Sequence, residues 1–244
     1  MTAECYYAEE ITAIPYRTLR KGLSAKVPAP LAFALAGFFR LRGILRWPLR
    51  PAYAVGGPGS GQDVLRDALP PRALSRWAPI IEQLGDLGFS PLKYSVADVI
   101  GEKQQAIALF LDGAGSTIAT LEWIRMRGGE GIDEKAPLEF NSYAAADPEI
   151  MTASVVAEDI EFSDLLNLEF VDVLVLPNHL RLKEIYHRHL ARATGRSFYR
   201  MHPETALKEH RTRSERRFHW ALRQGLLRPL TSEEVSRVRE RRLA

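Results

Sequence analysis

The side chains best suited to metal binding or to proton transfer near neutral pH are six histidines, His179, His187, His189, His202, His210 and His219. Their spacing does not converge on a site. His187 and His189 stand two apart in a segment that reads as helix, which points them about 200° apart. His202, His210 and His219 follow at intervals of eight and nine, with neither an HExxH pair nor a CxxC beside them. No metal site and no cofactor is expected from this set. Gly56-Gly-Pro-Gly-Ser-Gly61 has the glycines that a phosphate-cradling loop uses, but the lysine of a GxxxxGK[ST] pattern does not follow, and the run has the composition of a flexible linker. Gly113 and Gly115 read as hairpin-turn residues that supply positive φ. Cys5 is the single cysteine, which excludes an internal disulfide, and its place at a fraying end makes it a poor nucleophile. There is no G-x-S-x-G. Catalysis would need a site assembled from scattered residues, in which Asp98, Glu122 or His187 would titrate abnormally. The expected reading is a protein that is not an enzyme.

Two clusters point instead to binding. Between Pro30 and Pro48, Leu31, Phe33, Phe38, Phe39, Leu45 and Trp47 are interleaved with Arg40, Arg42 and Arg46, with Leu41 and Ile44 among them. At a membrane surface the apolar groups would enter the acyl boundary, the arginines would reach anionic headgroups and the indole would take the interfacial depth. The same mixture suits an arm that wraps a protein partner, or one buried helix of the chain's own core. The uninterrupted apolar run, Leu31 to Phe39, is nine residues, well short of the ~20 that cross a bilayer. In the second cluster Arg213, Arg216 and Arg217 fall beside Trp220 at helical spacing, an arrangement that can track phosphates. Glu204, Glu209 and Glu215 dilute its field, which makes nucleic acid the lesser alternative.

Elements that would position these clusters can be read from periodicity. Pro79 opens a helix in which Ile80, Ile81, Leu84 and Leu87 share a face before Gly88. Leu92, Tyr94 and Val96 alternate as a strand. Ala106–Leu111 and Thr117–Arg127 form a hairpin across Asp112-Gly-Ala-Gly-Ser116, and Leu138–Ala144 pairs with Ile150–Ala157 across residues 145–149. Residues 168–176 supply a further strand. Asn178 caps a helix with Leu182, Ile185, Tyr186 and Leu190 on one stripe. Pro203 starts a long basic helix ending near Gly225, and Thr231-Ser-Glu-Glu234 is a capping box for a last one. The fold class read from this is α+β: a single antiparallel sheet of about five strands with helices packed on one face, preceded by an irregular basic N-terminal arm.

Charge divides the chain in the same places. Residues 11–62 carry eight cations and no acid, whereas twelve acids stand against Lys135 alone in residues 130–172. Residues 201–244 return to a surplus of cations, eleven against six. The expected organisation is an arm and Gly-rich linker over 1–62, an α+β core over 63–200 and basic C-terminal helices over 201–244. The acidic block either folds against these cations or offers a face to a basic protein, a solvated acidic surface being the usual meaning of such a run. Composition is that of an ordinary globular chain, and no charged, apolar leader opens it, so a cytoplasmic location is expected, peripheral to a membrane rather than secreted. The function read from these features is a non-catalytic interaction or accessory subunit that docks through the 31–47 segment onto a membrane surface or a membrane-associated protein complex.

Overall fold

The computed structural model describes residues 5–47, 49–128, 131–144, 148–155 and 168–241. In chain order, β1 (Tyr6–Glu9) and a single 3-10 turn (Ile11–Ala13) lead into α1 (Tyr16–Ser24) and α2 (Ala29–Ile44). Next come β2 (Tyr53–Gly56), β3 (Gln62–Val64), α3 (Pro71–Asp86), β4 (Phe89–Val96) and β5 (Val99–Gly101). The centre of the chain is β6 (Lys103–Asp112), β7 (Ile118–Gly128), β8 (Gly131–Lys135), β9 (Leu138–Ser142), β10 (Glu149–Val155) and β11 (Val171–Pro177). It closes with α4 (Leu182–Ala193), α5 (Pro203–Arg223), β12 (Leu227–Pro229) and α6 (Ser232–Arg239).

The single antiparallel five-stranded sheet is not what forms. Among the described residues there are two sheets, one of eight strands in the order β11-β10-β9-β7-β6-β4-β3 with β8 also on β7, and one of four in the order β12-β1-β2-β5. The large sheet is mixed, because β11 runs parallel to β10 from Glu149↔Val171 to Val155↔Pro177. Its nearly continuous apolar run, Val171 to Leu176, is the pattern of a strand in parallel pairing rather than of a half-solvated antiparallel edge. The irregular arm is also corrected: residues 6–56 hold two helices and two strands. These strands escape a sequence reading because each is four residues long and their partners are remote, Tyr7 pairing with Pro229 on one side and Val55 on the other. The Gly-rich run connects the sheets, with Gly56 ending β2 and Gln62 opening β3.

The first expected hairpin forms, and the two strands of the second pair as expected, with residues 145–147 of its turn and 156–157 of its second strand outside the described residues. β6 and β7 pair from Lys103↔Met126 to Leu111↔Ile118, and β9 and β10 from Ser142↔Ile150 to Leu138↔Ser154. Asp112 closes the first turn, its Oδ1 accepting from the Ser116 and Thr117 amides at 2.7 and 3.0 Å. Gly115 takes φ 71° there, while Gly113 is not in the left-handed region. Helix α3 begins at Pro71, not Pro79, which sits inside it, and α4 is preceded by Arg181 rather than capped by Asn178. The capping box at Thr231 and Glu234 is present.

Alternation on β7 divides the core. Ala119, Leu121 and Trp123 face α3 and α4, where they meet Trp77, Leu84, Ile185 and Tyr186 in a buried cluster. Ile118 faces the other way and joins Leu109, Leu111 and Tyr143 against Met201 and Ala206 at the start of α5. Helices therefore cover both faces of the large sheet, not one. The small sheet buries Tyr6 and Ala54 under Val238 of α6, and the Tyr7 ring meets Phe218 of α5 edge-on at 4.9 Å.

A Cβ on Gly115 would stand 2.5 Å from the Met201 carbonyl oxygen in a conformation that L residues avoid. Gly115→Ala is expected to destabilise the protein by about 2 kcal/mol or more, read as a lowered urea midpoint with an unchanged slope.

Candidate functional site

Helix α2 buries only its smallest side chains. Ala32 and Ala36 are buried, and Gly43 packs so closely on the 3-10 turn that a Cβ would lie 2.8 Å from the Thr12 carbonyl oxygen. This small-residue stripe lets α2 lie flat on α1 and the turn, and it leaves the large residues outside. Leu31, Phe33, Phe38, Leu41, Ile44, Leu45 and Trp47 are all exposed, Phe33 by 60% and Trp47 by 65%. Of the other residues read as docking candidates, Phe39 is half-buried beside Phe38, and Arg42 is half-buried with its guanidinium over the Phe38 and Trp47 rings at 5.7 and 5.4 Å. Arg17, Arg20, Lys21, Lys26, Arg40, Arg46 and Arg50 are exposed around the same helical hairpin.

The end of α2 is a left-handed cap made by an arginine. Arg46 has φ 51°, its amide bonds to the Gly43 carbonyl at 3.1 Å, and the Trp47 amide reaches back to the Arg42 carbonyl at 2.9 Å. Glycine adopts this conformation without cost, and a side chain there loses about 1 kcal/mol. The cap folds Trp47 against α2 and brings Arg40, Arg46 and Trp47 to a groove of about 580 Å³ whose other wall is Glu10, Thr12, Gln224 and Arg228. The Arg228 guanidinium is engaged by Glu10 and Glu234 at 3.2 and 2.7 Å. Arg40 and Arg46 have no side-chain hydrogen bond or ion pair among the described residues.

The second cluster is turned inward. Arg217 bonds the Glu149 carboxylate with Nε and Nη2 and reaches Asn141 Oδ1 at 3.2 Å. Burial works against its charge, but Glu139 and Glu149 outweigh it and hold the guanidinium above its usual pKa. Arg213 pairs with Glu209 at 2.9 Å and lies over the Tyr143 ring, and Arg216 stacks 4.0 Å above Phe170. Arg213 and Arg217 thus fasten α5 to the sheet, while the exposed Arg216 covers the Phe170 ring just before β11, so the three do not stand on one open face. Apart from Glu209 on the same helix, the acids they meet come from the acidic block. Within it Glu134 meets Arg72 and Arg76, Asp172 meets Arg192 and Arg196, and Glu139 and Glu149 meet Arg217. Glu130, Asp147, Glu158, Asp159, Glu161 and Asp164 of that block lie outside the described residues.

The histidines separate as their spacing requires, His189 buried under α4 and His187 exposed. His189 Nε2 lies 2.9 Å from Ser142 Oγ, and its Nδ1 lies 3.0 Å from Thr152 Oγ1. A hydroxyl beside an imidazole is nucleophile chemistry in kind. Here both are sealed, with Thr117 continuing the chain at 3.0 Å from Ser142, so the group is a satisfied core network. Burial, with Arg192 adding to it, drives His189 down to about 3. On the opposite face Tyr143 Oη and His210 Nδ1 lie 3.0 Å apart, and burial takes His210 down to about 4. Of Asp98, Glu122 and His187, Asp98 accepts the Tyr6 hydroxyl at 2.9 Å, and Glu122 is the one that burial pushes up, to about 7, against the opposing charge of Lys103.

Glu149, Asn141, Glu139 and Lys103 escaped the sequence reading. One signal was present: on a central strand, Thr120 and Glu122 share a face opposite Leu121 and Trp123, so that face requires a polar cover. Which residues supply it is set by the remote α5.

A neutral Glu122 is the form the fold prefers, so its stabilising contribution is full below about pH 4.5 and is lost as pH rises through 7. The depressed His189 and His210 act the other way, contributing above about pH 6.5 and losing that contribution as pH falls towards 4 and 3. Glu122→Gln is therefore expected to raise the urea midpoint relative to the parent at about pH 8.5 and to leave it nearly unchanged at about pH 5. Comparison with family models, with curated proteins and with solved structures finds no match to this chain.

Proposed function

We propose that this protein is a non-catalytic accessory protein that docks on an anionic membrane surface through the α1–α2 hairpin. The observation that carries the reading is the continuous apolar and aromatic surface of α2, bordered by exposed cations in a stretch, residues 11–62, with no acid at all. Large aromatic and aliphatic groups left in water on one helix are the usual mark of an interaction surface, since each gains about 1.5–3 kcal/mol when covered. The charge selects the partner. Each cation near an anionic leaflet contributes about 1 kcal/mol, and an apolar insertion plus a basic patch are the two signals that stable peripheral attachment requires.

Attachment would be in the plane of the interface. At 16 residues and 1.5 Å per residue α2 is about 24 Å long, less than the ~30 Å hydrocarbon core, and no described helix is long and apolar enough to cross a membrane. Arg40 and Arg46, held beside Trp47 at headgroup depth, would meet lipid phosphates across the groove. The strained cap at Arg46 fits this reading, because glycine would satisfy the turn better and would carry no charge.

Flotation with phosphatidylserine-containing and with neutral vesicles, at low and high salt, tests it. The full chain is expected to float with the anionic vesicles and to be released by salt. Phe38→Glu and Trp47→Glu should each lower partitioning by about tenfold or more. Arg46→Gly is expected to weaken flotation while stabilising the fold by about 1 kcal/mol, an opposition that a purely structural role would not produce. A folded protein that stays off anionic vesicles would sink the lipid reading and assign the same surface to a protein partner.

A further inference from the structure

The two sheets meet at a cleft of about 260 Å³, and one cation is set into its wall. Lys103, at the start of β6, is only 8% exposed. Its ammonium lies 4.8 Å from the centre of the Tyr53 ring and 3.9 Å from Glu9 Oε1, and it has no hydrogen bond among the described residues. A desolvated ammonium with three donors and no hydrogen bond among the described residues has bonding capacity left over. Glu9 is the feature that identifies what fits. From β1 of the small sheet its carboxylate accepts the Tyr53 hydroxyl at 2.8 Å while facing Lys103, and its side chain is 58% exposed, so it reaches in from the rim. Ile124 and Met126 from β7 with Ala136, Pro137 and Val155 give the lining its apolar part, and Ser154, Asn178 and Lys135 complete it.

We propose that this cleft binds a small monocarboxylate with an apolar body, its carboxylate taking the Lys103 ammonium and the Tyr53 hydroxyl in place of Glu9. The size excludes drug-sized ligands, which occupy about 300–1,000 Å³. A single charge is favoured over a dianion because Glu122 on β7 lies close enough to feel Lys103 and is itself repelled by Glu139, while Glu9 stands at the rim. Lys135 at the other lip adds positive potential at the entrance. This site is independent of the α2 surface, and either proposal survives failure of the other.

The probe is benzoate, titrated by calorimetry and by amide NMR at neutral pH beside benzylamine and benzamide, which share its ring but carry a positive or no charge. Benzoate is expected to bind and to shift amides of β6, β7 and residues 136–137, with no shift from benzylamine. Glu9→Gln removes the internal competitor and is expected to tighten benzoate by about tenfold. Lys103→Met should abolish binding and Tyr53→Phe should weaken it several-fold, each in a protein whose unfolding transition remains cooperative. Benzoate binding unaffected by Lys103→Met, binding of benzylamine in preference to benzoate, or an E9Q protein that takes up no benzoate would overturn the assignment. Should Lys103→Met not fold, the Glu9→Gln arm decides alone.

Discussion

The architecture depends on one buried ion pair, Arg217 of α5 with Glu149 of β10. Glu149 has no exposed surface, and its carboxylate sits on a sheet face that also carries Asn141 and Glu139. Without a cation that face is strongly disfavoured, because an unpaired buried carboxylate costs several kcal/mol and loss of one partner from such a pair typically costs about 3–5 kcal/mol. Helix α5 is therefore not an appendage. It closes the large sheet with apolar contacts at its start, through Ala206, and with charge further along, through Arg213 and Arg217. Past its end, β12 hands the chain to the small sheet, so the ion pair also fixes where β1 and β2 are built.

What was legible in the sequence follows from this division of labour. The two hairpins, the long basic helix from Pro203 and the capping box at Thr231 were readable because turn chemistry, period and capping are local. The eight-stranded extent of the sheet was not. Strands β3 and β8 carry few core residues of their own, and β11 joins by parallel pairing, which no adjacent turn announces. The small sheet was invisible for a stronger reason. Its strands are three or four residues long, and its outer pairing, Tyr7 to Pro229, spans nearly the whole chain. Arg213, Arg216 and Arg217 show the limit of charge patterning: spacing places cations on a helix but says nothing of which side meets a buried acid.

Helix α2 was ambiguous for a related reason. Its residues are apolar nearly all round, so no stripe marks an inward face, and a sequence of this kind is equally a core helix or an interfacial one. The structure separates these by size. Alanine and glycine meet the protein, while phenylalanine, leucine and tryptophan meet the outside, an order that packing for stability alone would reverse, since burying the larger groups gains more. The same preference is visible in the cap, where Arg46 occupies a left-handed position that glycine would fill at lower cost.

The N-terminal segment from Tyr6 to Thr12 joins these parts mechanically. Glu9 looks into the cleft between the sheets, and the next residue, Glu10, binds Arg228 and the Thr12 hydroxyl, the latter at 2.6 Å. The Thr12 carbonyl in turn is the surface on which Gly43 seats α2. These contacts tie the end of β1, through Glu10 and Thr12, to the base of the hairpin. Packed interfaces of this kind shift as units. Glu9 and Glu10, adjacent in the chain, thus serve opposite neighbours, the cleft between the sheets on one side and the seat of α2 on the other.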